Sequence, residues 1–466
     1  MEVLGILLSL FLLMFFAYRG FSVILFAPVF ALLAAVSQGM PIMPSYTELF
    51  MAKAVTYIKS FFPVFMLGAV FGKVMEDTGL ARSLSHAIIK SMGRERAILS
   101  VVLSCMILTY GGVSLFVVVF AVYPFAAALY KEADIPKRLI PGTIALGSFT
   151  ITMDCLPGTP QIQNVIPTAF FGTNLYAAPT MGIIGGVLIV ILGMLYLERR
   201  RKAAAARGEG YGQHTLAEPE VRDEDIASLP PWQLAVLPLL TVLVVNFVMT
   251  NFPWDQNSLA PFVAMKLPLT VPAVKNVVSI WALIIGRVAG IALAVAVGFK
   301  RLPKGGLAKA LNAGTIGSLL AIMNTASEVG YGNVIAALPG FKSIAHAMLG
   351  IHIGNSPLVS EAVSVTTLAG ITGSASGGMS IALDLMAKDW LAWANQIGMS
   401  PEILHRVASM ASGGLDTMPH NGAVITLLAV CGLTHVQSYV DIFAMTVIKT
   451  FMAFFIIFLH SVTGIL

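Results

Sequence analysis

Long uncharged stretches dominate the sequence and restrict what it can fold into. Val3–Tyr18, Met181–Leu197 and Trp232–Phe252 contain no Asp, Glu, Lys or Arg, and with their flanks they reach the roughly 20 residues that a helix needs to cross a bilayer. Of all 466 residues, 57% are hydrophobic and 11% are charged, whereas about a quarter of the residues in a soluble domain are charged. The pattern predicts an all-α polytopic membrane protein without a soluble domain.

One apolar stretch is interrupted near its middle. Between Leu139 and Leu197 the only formally charged residue is Asp154, and the surrounding MDCLPGTPQ (Met153–Gln161) adds two prolines and a glycine. Such residues break a helix and free backbone NH and C=O groups, whose partial charges attract ions. We therefore expect a broken helix with a ligand site at mid-membrane, where Asp154 can take a proton or help hold a sodium ion.

A second interruption lies in the apolar stretch Ala97–Tyr130, which has basic residues near both ends and TYGGVS (Thr109–Ser114) near its middle. Two full crossings would have about 16 residues each, which is short for a spanning helix. The favoured interpretation is a re-entrant hairpin with its glycine-rich tip at mid-membrane, where irregular backbone is tolerated if it lines a cavity. The two-crossing alternative remains open.

The second half of the chain repeats these landmarks. RSLSHAI at 82–88 matches KSIAHAM at 342–348, TYGGVS matches TGSASGG at 372–378, and MDCLPGTPQ matches LDTMPHNGA at 415–423. Asp416 in the last motif is the only formally charged residue between Arg406 and Asp441. The paired motifs predict two copies of one structural unit.

Basic residues flanking the apolar stretches indicate the orientation of these copies, because Lys and Arg concentrate on the cytoplasmic side. They predict about five crossings plus a re-entrant hairpin and a broken helix in each repeat, with residues 1–198 as the first repeat, 199–230 as a mobile cytoplasmic linker and 231–466 as the second. An odd number of crossings inverts the second copy. Inverted repeats with broken helices are a recurring plan of secondary transporters.

Several motifs resemble those of the gluconate:proton symporter (GntP) family. They are GKVMEDTGLARSL at 72–84, YGGVSLFVVVF at 110–120, CLPGTPQIQNVIPT at 155–168 and ITGSASGGMSIA at 371–382. The likeness covers nearly the whole chain and is closest to the D-beta-hydroxybutyrate permease branch, especially over 373–434. The resemblance implies the ion-transporter superfamily, an elevator-type mechanism, a homodimer in the bacterial cytoplasmic (inner) membrane, and proton symport.

Two departures from the gluconate members affect the expected substrate. This chain has Gly111-Gly112 where those members resemble one another in a Glu, and Gly158-Thr159-Pro160-Gln161 where they have His-Pro-Gly-Pro. Loss of polar groups disfavours a polyol acid, whose hydroxyls need buried partners. We expect a secondary active transporter that imports a small hydroxy-monocarboxylate, D-3-hydroxybutyrate, with a proton. A gluconate or other sugar-acid proton symporter and a sodium-coupled carboxylate transporter are the alternatives.

Candidate site residues lie at the two hairpin tips and the two breaks. For coupling to the proton they are Asp154 and Asp416. For substrate binding they are Thr109, Gly111, Gly112, Ser114, Gly158, Thr159, Gln161, Ser374, Ser376, Gly377, His420 and Asn421. Glu328 and Glu361 are interpreted as structural or interfacial, and Arg287 is expected to pair with a carboxylate.

Other classes of protein fit the sequence less well. There is no GxSxG or HExxH motif of a hydrolase, so an enzyme is not expected. Two hairpins that meet from opposite sides predict a closed arrangement and not a continuous ion channel. The three cysteines have no CxxC spacing, so no metal site is expected. No cofactor and no nucleic-acid partner are expected either. The expected partners are a small carboxylate, a proton or sodium ion, and the lipid bilayer.

Overall fold

Helices and short connections make up the computed structural model, which describes residues 2–19, 21–214, 216, 218, 223–267, 269, 271, 273–302, 305–419 and 421–466. These described residues contain no β-strand. The helices of the first part are α1 (Glu2–Tyr18), α2 (Val23–Ser37), α3 (Ile42–Pro44), α4 (Ala52–Asp77), α5 (Leu80–Met92), α6 (Ala97–Tyr110), α7 (Leu115–Glu132), α8 (Ile140–Ser148), α9 (Ile162–Phe171) and α10 (Pro179–Ala205).

The later part of the chain is also helical. Its helices are α11 (Asp223–Ala227), α12 (Trp232–Thr250), α13 (Ala260–Ala264), α14 (Val278–Gly298), α15 (Gly306–Ala337), α16 (Pro339–Leu349), α17 (Leu358–Thr372), α18 (Ala375–Gln396), α19 (Pro401–Ser412), α20 (Gly422–Cys431) and α21 (His435–Thr463). Segments Ser45–Met51 and Ile151–Cys155 are π-helical, and five single 3₁₀ turns lie at Arg94–Arg96, Lys137–Leu139, Gln256–Leu259, Val274–Asn276 and Phe299–Arg301.

Both parts of the chain follow one order of elements. A long helix (α4 or α15) leads into a short amphipathic helix (α5 or α16), a pair of helices joined by a tight turn (α6–α7 or α17–α18), two half-helices (α8–α9 or α19–α20) and a long final helix (α10 or α21). The breaks between half-helices follow from their sequences, because proline and glycine at Pro157, Gly158 and Pro160 cannot continue a helix.

Six helical segments within the described residues are long and apolar enough to cross a membrane, at 42–77, 179–205, 232–250, 278–301, 306–337 and 435–463. Large apolar side chains such as Val55, Val244, Phe247 and Phe458 are exposed on their outer faces. Exposing so much apolar surface to water is unfavourable, whereas contact of the same surface with lipid is favourable. The chain is therefore a multi-pass membrane protein, as its composition predicts.

Glycines allow the long helices to approach one another closely. Helix α4 packs along α15 and helix α12 along α14. Gly314 leaves no room for a side chain against the backbone of Val70, and Gly286 is similarly close to the carbonyl oxygen of Val242. Small residues at helix crossings are the usual means by which membrane helices gain packing energy.

The segment after α10 is tied to the rest of the protein, although its composition predicts a mobile linker. Glu209 forms an ion pair with Arg138 at 2.5 Å, and the backbone NH of Tyr211 donates to Asp134 Oδ1 at 2.9 Å. Hydrogen bonding from Arg138 lowers the pKa of Glu209 to about 2, so this carboxylate is ionised at neutral pH. Sequence composition does not reveal these contacts, because their partners lie some 70 residues away.

Candidate functional site

A cavity of about 760 Å³ lies where the two helix pairs and the two broken helices meet. Its wall includes residues from each of the four motifs. The first tip supplies Gly112 and Ser114, the first break Gln161, the second tip Ser374 and Ser376, and the second break Asp416 and Asn421. These seven residues are among the candidates predicted from the sequence. The volume falls in the usual range for small-molecule sites, about 300–1,000 Å³.

The other candidates among the described residues lie outside the cavity lining. Thr109 donates its hydroxyl to Ser148 at 3.2 Å, and Thr159 donates to the carbonyl oxygen of Thr152 at 2.5 Å. Gly111 packs against the side chain of Leu239. Gly158 has a φ of +79° and packs against Tyr176, and Gly377 contacts Glu328. Asp154 is buried in the protein interior. His420 is outside the described residues.

Side-chain amides connect each break to the neighbouring tip. Gln161, which precedes α9, donates to the carbonyl oxygen of Thr109 at 2.7 Å. Asn421, which precedes α20, donates to the carbonyl oxygen of Gly373 at 2.8 Å while its own oxygen caps α20. These two hydrogen bonds hold the tips against the breaks.

Asp154 and Asp416 share one cation, Lys449 on α21. Lys449 Nζ lies 3.4 Å from Asp154 Oδ2 and 3.3 Å from Asp416 Oδ1, and it also donates to the carbonyl oxygen of Phe149. Lys449 is 2% exposed, so the group is removed from water. Lys449 can balance only one of two ionised carboxylates. The second buried cation beside them is Arg406, whose guanidinium donates to the backbone carbonyl of Asp154 at 3.4 Å.

The first break is also fixed by the second broken helix. Ser409 on α19 donates to the backbone carbonyl of Asp154 at 2.7 Å, and Arg406 donates to the carbonyl oxygen of Ala177 at 2.7 Å and to Asn164 Oδ1 at 3.1 Å. Gly413 lacks a side chain where Asp154 and Lys449 approach, and a Cβ there would overlap both. The two broken helices therefore support each other where the carboxylates meet.

Arg287 on α14 reaches the cavity wall but does not pair with a carboxylate within the described residues, contrary to the expectation from sequence. Its Nη2 donates to the carbonyl oxygen of Pro160 at 2.6 Å, and Nη1 donates to that of Val64. The guanidinium thus stabilises the carbonyl groups freed by the first break. It also places a positive charge beside the cavity, which favours an anionic ligand.

The sequence analysis did not identify Lys449 as a site residue, although its isolation in an apolar segment indicates one. It is the only Lys, Arg, Asp or Glu between Asp441 and the final residue, Leu466, in an otherwise apolar helix. An isolated ionisable residue in a spanning segment generally has a partner and a function. The sequence favours a structural or interfacial role for Glu328, and the structure places this residue in the cavity wall beside the second tip.

The chain is similar in sequence to proteins named as transporters and permeases. A Bacillus subtilis (strain 168) protein named uncharacterized transporter YxjC is 51% identical over 481 residues, covering 100% of both chains. An uncharacterized permease of Haemophilus influenzae is 28% identical over 195 residues, 39% of this chain and 37% of its own. No established protein-family profile matches the chain.

The fold also resembles a solved structure. Neisseria gonorrhoeae MtrF, described in a study of antimetabolite efflux pumps, superposes with a TM-score of 0.52 at 13% sequence identity. The match covers 92% of this chain and 93% of MtrF. At this identity the likeness concerns the fold alone.

Proposed function

Because this chain belongs to the family of the Bacillus subtilis transporter YxjC, we propose that it is a secondary active transporter importing a small hydroxy-monocarboxylate, D-3-hydroxybutyrate, together with a proton. The observation that carries this proposal is the cavity where both hairpin tips and both breaks converge. A site built from hydroxyls, amides and a nearby guanidinium suits a small anion with few hydroxyl groups.

The proposed architecture is a pair of inverted repeats, 1–198 and 231–466, joined by the cytoplasmic linker 199–230. The shared order of helices in the two parts supports it, as does the meeting of their tips at one cavity. We further propose a homodimer in the bacterial cytoplasmic membrane, in which the hairpins and broken helices move as an elevator. This arrangement would expose one site alternately to the two sides.

For ion coupling we propose Asp154 and Asp416, acting with Lys449. The shared ion pair supports the assignment, since protonation of one carboxylate would still leave the other paired with Lys449. Asp416 lies in the cavity lining, so its charge can respond to a bound substrate. Sodium is the alternative coupling ion, because carboxylate and carbonyl oxygens also hold it.

Counterflow in proteoliposomes tests the substrate and the coupling ion together. Proteoliposomes preloaded with unlabelled D-3-hydroxybutyrate should accumulate the labelled acid. A pH gradient should drive uptake of the acid in the absence of sodium. Gluconate should compete about 100-fold more weakly, because buried hydroxyls without partners cost a few kcal/mol in total. Equal competition would contradict the proposed selectivity, and uptake that requires sodium would replace the proton by that ion.

A further inference from the structure

A carboxyl group that the proposed coupling does not use lines the same cavity. Glu328 on α15 is 3% exposed and lies with Thr325, Ser374 and Ser376 in the cavity wall. Its Oε2 atom has no hydrogen-bond partner among the described residues. A buried, unsatisfied carboxyl oxygen is costly, so its persistence beside a ligand cavity requires a physical reason.

The carboxyl group of Glu328 occupies the amino-terminal turn of α18. Its Oε2 lies where a Cβ of Gly377 would be, so only glycine leaves room for it. In the same turn Ser374 accepts a hydrogen bond from the NH of Gly377 at 3.0 Å. The amino end of a 22-residue helix carries partial positive charge and is a natural place for an anion. Glu328 therefore occupies a position that a substrate carboxylate would favour.

No cation pairs with Glu328 within the described part of the chain. On the helices packed against α15, Lys53 pairs with Asp384 at 2.5 Å, and Lys73 pairs with Asp77 at 2.8 Å. Across the cavity, the charge of Asp416 faces Lys449. Tyr57 on α4 is the neighbouring ionisable group that interacts electrostatically with Glu328. The exposed ionisable residues on the packed helices are Glu48, Lys59, Lys342, His346, Lys388 and Asp389.

We propose that Glu328 is a proton-binding site that controls the binding of an anion at the second hairpin tip, an inference that rests on the proposed function. A substrate carboxylate and an ionised Glu328 would repel each other strongly in a cavity of low dielectric constant. When a solvent proton neutralises Glu328, the repulsion disappears and the carboxylic acid gains a donor. Proton and anion then strengthen each other's binding by the same factor.

Glu328 and the aspartate pair thus have different roles. Glu328 links substrate affinity to pH, whereas Asp154 and Asp416 carry the proton that drives accumulation. Both Glu328 and Asp416 line the cavity, so either can make binding depend on pH, and substituting one group at a time separates their contributions.

The test is the binding of labelled D-3-hydroxybutyrate to the full-length protein in nanodiscs, in sodium-free buffer from mildly acidic to mildly alkaline pH. Wild-type affinity should fall by up to about tenfold per pH unit as Glu328 loses its proton. Glu328→Gln should lose most of this dependence on pH. Glu361→Gln is the matched control, since Glu361 is also buried, has no hydrogen-bond partner among the residues that the structure describes, and lies outside the cavity lining. It should keep the wild-type pH dependence.

Unchanged pH dependence in Glu328→Gln would overturn the proposal, as would affinity that follows sodium instead of pH. Should that variant not fold, infrared difference spectroscopy compares the wild type with Glu328→Asp: the C=O band of the carboxyl that gains a proton on substrate addition should shift in the variant. An unshifted band, or no band, would overturn the proposal. If no acid of a small-carboxylate panel binds, the proposed function fails. A pH titration without substrate still tests Glu328 itself: the carboxyl C=O band that appears as the pH falls should include a component that shifts in Glu328→Asp, and absence of that shift would overturn the proposal.

Discussion

Lys449 determines how the two central aspartates can behave. Removing one partner of a buried ion pair generally costs about 3–5 kcal/mol, because it leaves an uncompensated charge. The group of Asp154, Asp416 and Lys449 is not symmetric in this respect. Loss of one carboxylate leaves a matched pair, whereas loss of the lysine leaves two carboxylates facing each other without their cation.

We predict that Asp154→Asn and Asp416→Asn each lose pH-driven accumulation while they retain some exchange of substrate for substrate. The defect should be larger for Asp416→Asn, because Asp416 lies in the cavity lining. Uptake and exchange in proteoliposomes measure both activities. Undiminished pH-driven accumulation in both variants would show that neither aspartate carries the proton.

A second prediction concerns the cation itself. Lys449→Gln should unfold at a markedly lower temperature than either Asn variant, consistent with a loss of about 3 kcal/mol or more. Lys388→Gln, which replaces an exposed lysine, is the control and should melt like the wild type. Thermal melting in detergent gives the comparison. Equal melting temperatures for Lys449→Gln and Lys388→Gln would mean that the buried group does not stabilise the fold.

The positions of the two aspartates and of the breaks were predictable, because proline and an isolated charge are visible along the chain. The partner of the aspartates was not, since Lys449 lies 295 residues from Asp154 and 33 from Asp416 in sequence. The same reason explains the wrong expectation for Arg287. Its mid-span position indicated a need for a partner, but whether a carboxylate or freed carbonyl groups would meet it depends on how helices pack.

Helical elements were located well by the sequence pattern. The predicted tip at Thr109–Ser114 coincides with the turn between α6, which ends at Tyr110, and α7, which begins at Leu115. The first break falls between Cys155 and Ile162. Local chemistry decides these boundaries, because glycine and proline act on the residues beside them. The link between tips and breaks was not predictable, since the amides of Gln161 and Asn421 reach across the fold.

The hydrogen bond from Asn421 to the second tip can be tested by substitution. Asn421→Ser should retain the cap of α20, because serine is a good N-cap, but lose the hydrogen bond to the carbonyl oxygen of Gly373. We expect faster amide hydrogen exchange at the second tip and at least about tenfold weaker substrate binding, since loss of an oriented tip costs more than about 1 kcal/mol. Thr426→Ala, a change at a half-buried position on the same helix, should alter neither. Unchanged exchange at the tip in Asn421→Ser would show that the amide does not hold it.

At the scale of the whole molecule, the two parts of the chain cooperate through buried contacts. Ser409 in α19 holds the backbone at Asp154, and Lys449 in α21 bridges both breaks. Neither part completes the cavity alone, because its wall takes residues from both. If the parts are inverted repeats, each break enters the membrane from the opposite side, and their half-helix ends converge on one site.

The inverted arrangement predicts opposite sides for two exposed positions. The basic run at the end of α10 indicates that Ala206 is cytoplasmic, whereas the end of α18 belongs to the hairpin proposed to enter from outside. A membrane-impermeant thiol reagent should therefore label Ala206→Cys only in inside-out vesicles and Gln396→Cys only in right-side-out vesicles. Both positions are exposed, and the native Cys105, Cys155 and Cys431 are buried, so the unmodified protein should react little. Labelling of both variants from the same side would exclude inverted repeats and require a second full crossing in one of the hairpins.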